Sequence, residues 1–259
     1  MAYIANKINI LATISLLFFL YHNNLYSNLI TENFSIYSYV KGIPLADGKV
    51  LMKFKEKKYS LKISAKSIGV FSLILNWEQT IKSFGVIKES KFKSFRYLSS
   101  DVRGKKNGYI EINFQNNPPK IISAQPDPGT DKRRNINNSL LVNVNDPVAS
   151  IFNLALDECK NTVKVFDGKR IYNIKILKKK RSVLDDPLLS KRKINTYNCT
   201  YEIERLAGYT KKELKKFPRK GNIWIKKHET LNFYYPIKIQ IKTKWGHFLC
   251  YFERKENIN

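Results

Sequence analysis

Residues 146–176 read DPVASIFNLALDECKNTVKVFDGKRIYNIKI: a helix, a cysteine and a two-stranded hairpin in immediate succession. Asp146 suits the cap of a helix opening on Pro147, because proline lacks the amide that a first turn leaves unsatisfied and its φ already fits that turn. Val148, Ile151, Phe152 and Ala155 recur at helical spacing, so one face is expected to be buried. After Cys159 the period falls to two at Val163 and Val165; Asp167-Gly168 follows, then Tyr172, Ile174 and Ile176. That is strand, tight turn, strand, and Asp-Gly suits a type I′ turn. A helix at this place has to cover a sheet, and the nearest sheet-forming segments precede it.

Those segments alternate as strands do. Residues 34–40 run FSIYSYV into the turn-rich GIPLADG; Val50, Met52 and Phe54, then Tyr59, Leu61 and Ile63, continue an antiparallel meander with lysines outward. Residues 68–77, IGVFSLILNW, are apolar throughout and fit a short helix or a buried strand equally. Gly85, Arg103-Gly104 and Asn107-Gly108 separate three or four further strands up to Phe114. Prolines and the DKRR run mark 116–138 as an exposed connection, and 178–193 (KKKRSVLDDPLLSKRK) as a second one. Strands at 196–204, 223–226, 235–242 and 247–254 close the chain, with a short basic segment at 211–217. The expectation is one β-rich domain over 28–259.

The extreme N-terminus has the layout of an export signal: Lys7, an apolar run to Tyr21 and polar His22, Asn23 and Asn24, too short to span a bilayer comfortably. Cleavage after Ser27 would release the domain, although Leu25 fits the small-residue rule poorly; an uncleaved anchor over 1–27 is the competing reading. Export places the chain in the periplasm. The formal net charge of +26 suits an anionic partner such as a membrane surface, an envelope polymer or nucleic acid. Lysine, however, is spread over almost every segment, as AT-rich codon usage would produce, so the charge alone marks no dedicated site. Of the three cysteines, Cys159, Cys199 and Cys250, any two can pair in an oxidising compartment, and spacing does not choose.

The order of features resembles the domain-of-unknown-function 3108 family of bacterial envelope proteins. Asp146-Pro147, Cys159, the run Phe166-Asp167-Gly168-Lys169-Arg170, Tyr172, Cys199, Gly208-Tyr209, Trp224, Pro236 and Gly246 carry the resemblance, with Tyr37, Gly42 and the strand near Gly48 in the N-terminal half. Phe92-Lys93-Ser94-Phe95 departs from it where such proteins tend to have a proline. The resemblance implies a mainly β, periplasmic protein: an antiparallel, strongly curved sheet or half-barrel with one or two short helices, Cys159 paired with Cys199 and Cys250 free. More distantly, the chain is similar to lipoprotein-carrier half-barrels that hold acyl chains. The family supplies no activity.

Chemistry is poorly represented. A nucleophilic triad needs a base; His228, read as the tip of a hairpin, and His247, in a C-terminal strand, stand alone. Asp157-Glu158 and Asp185-Asp186 are adjacent pairs that point apart, suited to capping rather than acid/base work. No metal-ligand spacing, glycine-rich nucleotide loop or Walker motif is present, so no cofactor is indicated and the expectation is a protein without enzymatic activity. Phe92, Phe95 and Tyr97 among lysines suit a sheet face better than a base-stacking platform, and export argues against nucleic acid. What remains is binding: a concave apolar surface for a lipid or other amphiphile, with Phe71, Leu73, Leu75, Trp77, Phe152 and Leu156 as candidate lining. A scaffold role in envelope assembly is the alternative.

Overall fold

Alternation of side chains carries the chain from hairpin to hairpin. In β1 (Ile30–Val40), β2 (Ile43–Lys55) and β3 (Lys58–Ser67), Phe34, Ile36, Val50, Met52, Tyr59 and Leu61 turn inward, while Lys49, Lys53, Lys58 and Lys62 stay in solvent. The computed structural model describes residues 29–89, 91–127, 136–190, 193–229, 233–243 and 246–255. The expected export segment over 1–27 and the DKRR run lie outside the described residues. A short helix α1 (Gly69–Ile74) precedes β4 (Trp77–Lys88), β5 (Lys91–Arg103), β6 (Lys106–Asn113) and β7 (Lys120–Gln125). A 3-10 turn (Asn138–Leu141) leads to α2 (Pro147–Leu156), then β8 (Val163–Phe166), β9 (Ile171–Leu184) and β10 (Ile194–Ala207). Helix α3 (Lys211–Lys216), β11 (Lys220–Lys227), β12 (Tyr234–Thr243) and β13 (Gly246–Lys255) complete the described chain.

Among the described residues, thirteen strands form one antiparallel sheet in the order β7-β6-β5-β4-β3-β2-β1-β13-β12-β11-β10-β9-β8. Helix α2 touches both β5 and β12, six strands apart in that order. In a flat sheet they would be roughly 29 Å apart, so the sheet must curve around the helix. Its ends meet without pairing: Phe114, just after β6, lies 6.4 Å from the ring of Phe166 in β8. The fold is thus mainly β, with an open, strongly curved sheet.

Helix α2 divides two apolar clusters. Val148, Ala149 and Phe152 join the larger one with Phe34, Met52 and Phe92, whereas Leu154 and Ala155 join the smaller one with Val165, Ile223 and Ile225. The smaller cluster also holds the disulfide between Cys159 and Cys199, with Cα atoms 6.2 Å apart, which ties the end of α2 to the middle of β10. Cys250 is free.

Four expectations need correction or resolution. Residues 68–77 divide into α1 and the start of β4, and α1 buries none of its side chains. The 116–138 connection contains β7, whose pairing with β6 absorbs Lys120–Gln125. Residues 178–184 are strand rather than loop: Lys178 to Leu184 pair with Thr200 to Ile194, leaving the lysine-rich sequence solvated on an extended backbone. Asp167-Gly168 is not a type I′ turn, which requires positive φ at both central residues. Only Gly168 has it, at 88°, and the loop spans four residues between the paired Phe166 and Ile171. The cause is local: Asp167 Oδ1 accepts the amide hydrogens of Lys169 (2.9 Å) and Arg170 (2.7 Å), winding the chain around its own carboxylate.

Candidate functional site

The concave face is occupied by the chain itself. Asp146 caps α2, its Oδ1 accepting from the amides of Val148 (2.8 Å) and Ala149 (2.9 Å), with Pro147 in the first turn. Its Oδ2 accepts from Ser83 Oγ at 2.6 Å and Ser94 Oγ at 2.5 Å, so four donors surround a carboxylate that is 0% exposed. Burial raises this carboxyl above the ordinary range, and the hydrogen bonds from Ser83, Ser94, Ala149 and Val148 act in the opposite direction. The hydroxyl of Tyr59 reaches both serines at 3.3 and 3.5 Å and, like that of Tyr97, is pushed well up by burial and by the nearby Asp146 charge. Such a site holds a helix end against two strands; its donors are consumed in doing so.

Of the candidate lining residues, Phe152 is buried beside Phe92, ring centroids 6.0 Å apart, and Leu156 packs at the edge of the same cluster. Burying such a side chain contributes about 2 kcal/mol, which accounts for its place without a ligand. Leu73 stands 86% exposed on α1 and Leu75 is exposed just beyond it, while Phe71 and Trp77 are half-buried. The six therefore form no common surface.

The residues of the Phe166–Arg170 run gather at the seam where the two sheet ends face each other. A Cβ on Gly168 would run into Cδ1 of Ile110 on β6, and one on Gly208 would strike the carbonyl oxygen of Lys169. Glycine is thus required at both close approaches. Arg170 pairs with Asp167, Nη2 to Oδ2 at 2.7 Å, and lies over the ring of Phe217 at 4.9 Å, with Tyr209 edge-on to Phe217. Burial opposes the Arg170 charge, but Asp167 outweighs it and raises the pKa. A cleft of about 360 Å³ opens beside this corner, lined by Gln79, Ser99, Asp101 and Lys106 as well as Asp167 and Arg170.

Two further polar groups link strands. Asp186 accepts from Lys238 Nζ (2.6 Å), Tyr251 Oη (2.9 Å) and the amide of Leu188 (3.1 Å). Burial raises the carboxyl's pKa, yet Lys238, Leu188 and Tyr251 prevail and hold it below the ordinary range. Glu32 on β1 accepts two bonds from Arg254 on β13, at 2.6 and 3.1 Å, and lies 3.3 Å from His228 Nε2. His228 is therefore no exposed hairpin tip: it is buried against Phe233, ring centroids 4.9 Å apart. His247 is exposed in β13. Among the described residues, no group of three or more His, Cys, Asp or Glu side chains is placed to hold a metal ion.

Sequence reasoning missed Ser83, Ser94 and the Asp186–Lys238 pair. A signal existed for one: Ser94 stands in phase with the inward-facing Phe92, so a polar side chain was bound to enter the core there. Asp186 and Lys238 are 52 residues apart and nothing local connects them.

These features define a mainly β protein whose open, curved sheet has its concave face filled by its own helix. The chain belongs to the family of proteins of unknown function DUF3108, whose model matches residues 33–252. A solved structure, the crystal structure of a beta-barrel-like protein of domain of unknown function DUF1849 from Brucella abortus, is similar at 9% identity with a TM-score of 0.48, covering 89% of this chain and 99% of that one. No curated protein matches the chain.

Proposed function

We propose that this chain is an exported, non-enzymatic protein of the cell envelope that serves as a periplasmic scaffold. The observation that carries the reading is the seating of α2, with Ala149, Phe152, Leu154 and Ala155 buried and both ends fastened, by Asp146 and by Cys159. A concave face packed with the chain's own side chains leaves the outer surface and the rims for partners. The disulfide suits an oxidising compartment. The engagement of Asp146, Asp167, Asp186 and Glu32 in structural contacts supports a role without catalysis. Fractionation of cells producing the tagged chain tests it: the protein belongs in the periplasmic fraction, and recovery from the cytoplasm with an intact N-terminus overturns the proposal.

A second reading, binding of an amphiphile, is favoured by one groove of about 560 Å³. Val183, Tyr197, Ile225 and Tyr234 supply apolar walls there, and Arg181 and Lys227 supply cations. Solvent extraction of the purified protein followed by mass spectrometry separates the two: a stoichiometric lipid supports the groove, and clean protein leaves the scaffold.

A further inference from the structure

One end of the curved sheet combines apolar tips with an excess of exposed cations. Antiparallel order puts the β1–β2, β3–β4, β5–β6, β8–β9, β10–β11 and β12–β13 connections at the same end. Contacts confirm neighbours among them: the amide of Gly104 donates to the carbonyl of Asn76 (2.8 Å), that of Ile68 to Leu45 (3.0 Å), and Gly246 lies against the side chain of Lys41. At the crest is α1, where Val70 is 69%, Leu73 86% and Ile74 79% exposed, and Ile43 on the adjoining hairpin is also exposed. Phe71 is the one apolar side chain of this six-residue helix that is even half-buried, so packing accounts for Phe71 but not for Val70, Leu73 and Ile74.

Around that crest stand Lys41, Lys66, Lys105 and Lys106, all exposed, and on the same end α3 contributes Lys211, Lys212, Lys215 and Lys216 beside exposed Leu214. The acids near α1 are Asp47 and Glu78, both opposite Lys66 in the strand register, Asp101, which Arg103 pairs at 2.9 Å, and Asp167, which Arg170 pairs at 2.7 Å, so the lysines outnumber the carboxylates left without an arginine partner. At the opposite end the tips at Glu56-Lys57 and Glu89 are charged, and the exposed apolar side chains among the described residues there, Leu29, Ile30 and Leu188, are divided between the start of β1 and the β9–β10 connection.

We propose that this end of the sheet docks on an anionic phospholipid bilayer, with Val70, Leu73 and Ile74 entering the interface and the surrounding lysines neutralising lipid headgroups. Charge selects this occupant over a second copy of the chain, since an isologous contact through α1 would set Lys41, Lys66, Lys105 and Lys106 against their own symmetry mates. Interfacial binding of this kind needs both apolar insertion and electrostatic attraction, and both are present at one place. The inference goes beyond the scaffold role and stands whether or not the groove near Tyr197 takes a lipid.

A solvent-sensitive fluorophore attached to Leu73→Cys in the full chain tests it, because the signal reports position 73 and not the apolar N-terminal segment. Vesicles of phosphatidylglycerol should shift its emission to the blue and expose it to a lipid-borne quencher, whereas phosphatidylcholine vesicles should do neither. Lys105→Gln with Lys106→Gln leaves α1 intact and should weaken the response roughly tenfold or more, at about 1 kcal/mol per surface cation. An unchanged probe while the chain sediments with anionic vesicles overturns the proposal, as does an equal response to both lipids. A blue shift without vesicles that grows with protein concentration assigns the patch to a second copy and also overturns it.

Discussion

Asn153 on α2 clasps the main chain of Phe92 on β5, accepting its amide hydrogen at 2.6 Å and donating Nδ2 to its carbonyl at 2.9 Å. β5 pairs with β4 from Lys91 onward but with β6 only from Arg96, so the edge at Phe92 would otherwise be a bare ladder inside the protein. One amide side chain imitates the missing strand. Asn153→Leu should therefore leave a buried N–H and C=O unsatisfied and cost roughly 2–4 kcal/mol, read as a lower urea midpoint with an unchanged slope. A loss within 0.5 kcal/mol would mean that water or backbone movement replaces the clasp.

Asp146 should tolerate amidation better than truncation. Asp146→Asn keeps an N-cap acceptor, while Asp146→Ala loses the cap and leaves Ser83 and Ser94 without their acceptor, costing roughly 2–4 kcal/mol. The folded carboxyl titrates above its unfolded value, so its favourable contribution is complete in acid and declines as pH rises through the raised value. The deficit of Asp146→Asn relative to the parent should accordingly be largest at low pH and shrink toward neutrality in paired denaturation curves.

Asp186 gives the opposite slope. Held below the ordinary carboxylate range in the folded state, it contributes stability that is present above that range and lost as pH falls through the depressed value. Lys238→Met should abolish that acid-sensitive component and, by stranding a buried charge, cost about 3 kcal/mol at neutral pH. Thermal melts between acid and neutral pH check both parts.

Reduction of the Cys159–Cys199 bridge, which spans 40 residues of sequence, should cost roughly 3–4 kcal/mol on the loop-entropy account. The effect should be reproduced by Cys159→Ala with Cys199→Ala. Equal stability with and without reductant would show that α2 is held by packing alone.

Cys250 offers an independent reading of core integrity. Burial pushes its thiol up to about 11, with a hydrogen bond to Ser38 acting the other way, so thiolate is scarce at neutral pH. Alkylation should be slow in the native protein and fast in denaturant. Rapid native labelling would place β13 outside the stable sheet.

Much of the architecture is written locally. Alternation at Phe34, Val50, Met52, Tyr59 and Leu61 specifies strands and their inward faces, and Asp146-Pro147 specifies where α2 begins, because both depend on residues within one turn or one pleat of each other. The Asp167 loop was legible only in part: Asp-Gly announces a reversal, but the number of residues in it follows from how far the Asp167 carboxylate reaches.

Local sequence thus specifies a β-rich chain, the start of its covering helix, several of the places where it reverses and its excess of positive charge. Cysteine spacing left three pairings open, and the bridge that forms, Cys159–Cys199, is the one the family resemblance implied; what Asp146 faces, and that Leu73 points to solvent while Phe152 fills the concave side, followed only from the folded chain. The reason is distance along the chain. Asn153 and Phe92 are 61 residues apart, Asp186 and Lys238 52, and Glu32 and Arg254 222. No local pattern encodes such neighbours; the register and curvature of the whole sheet bring them together.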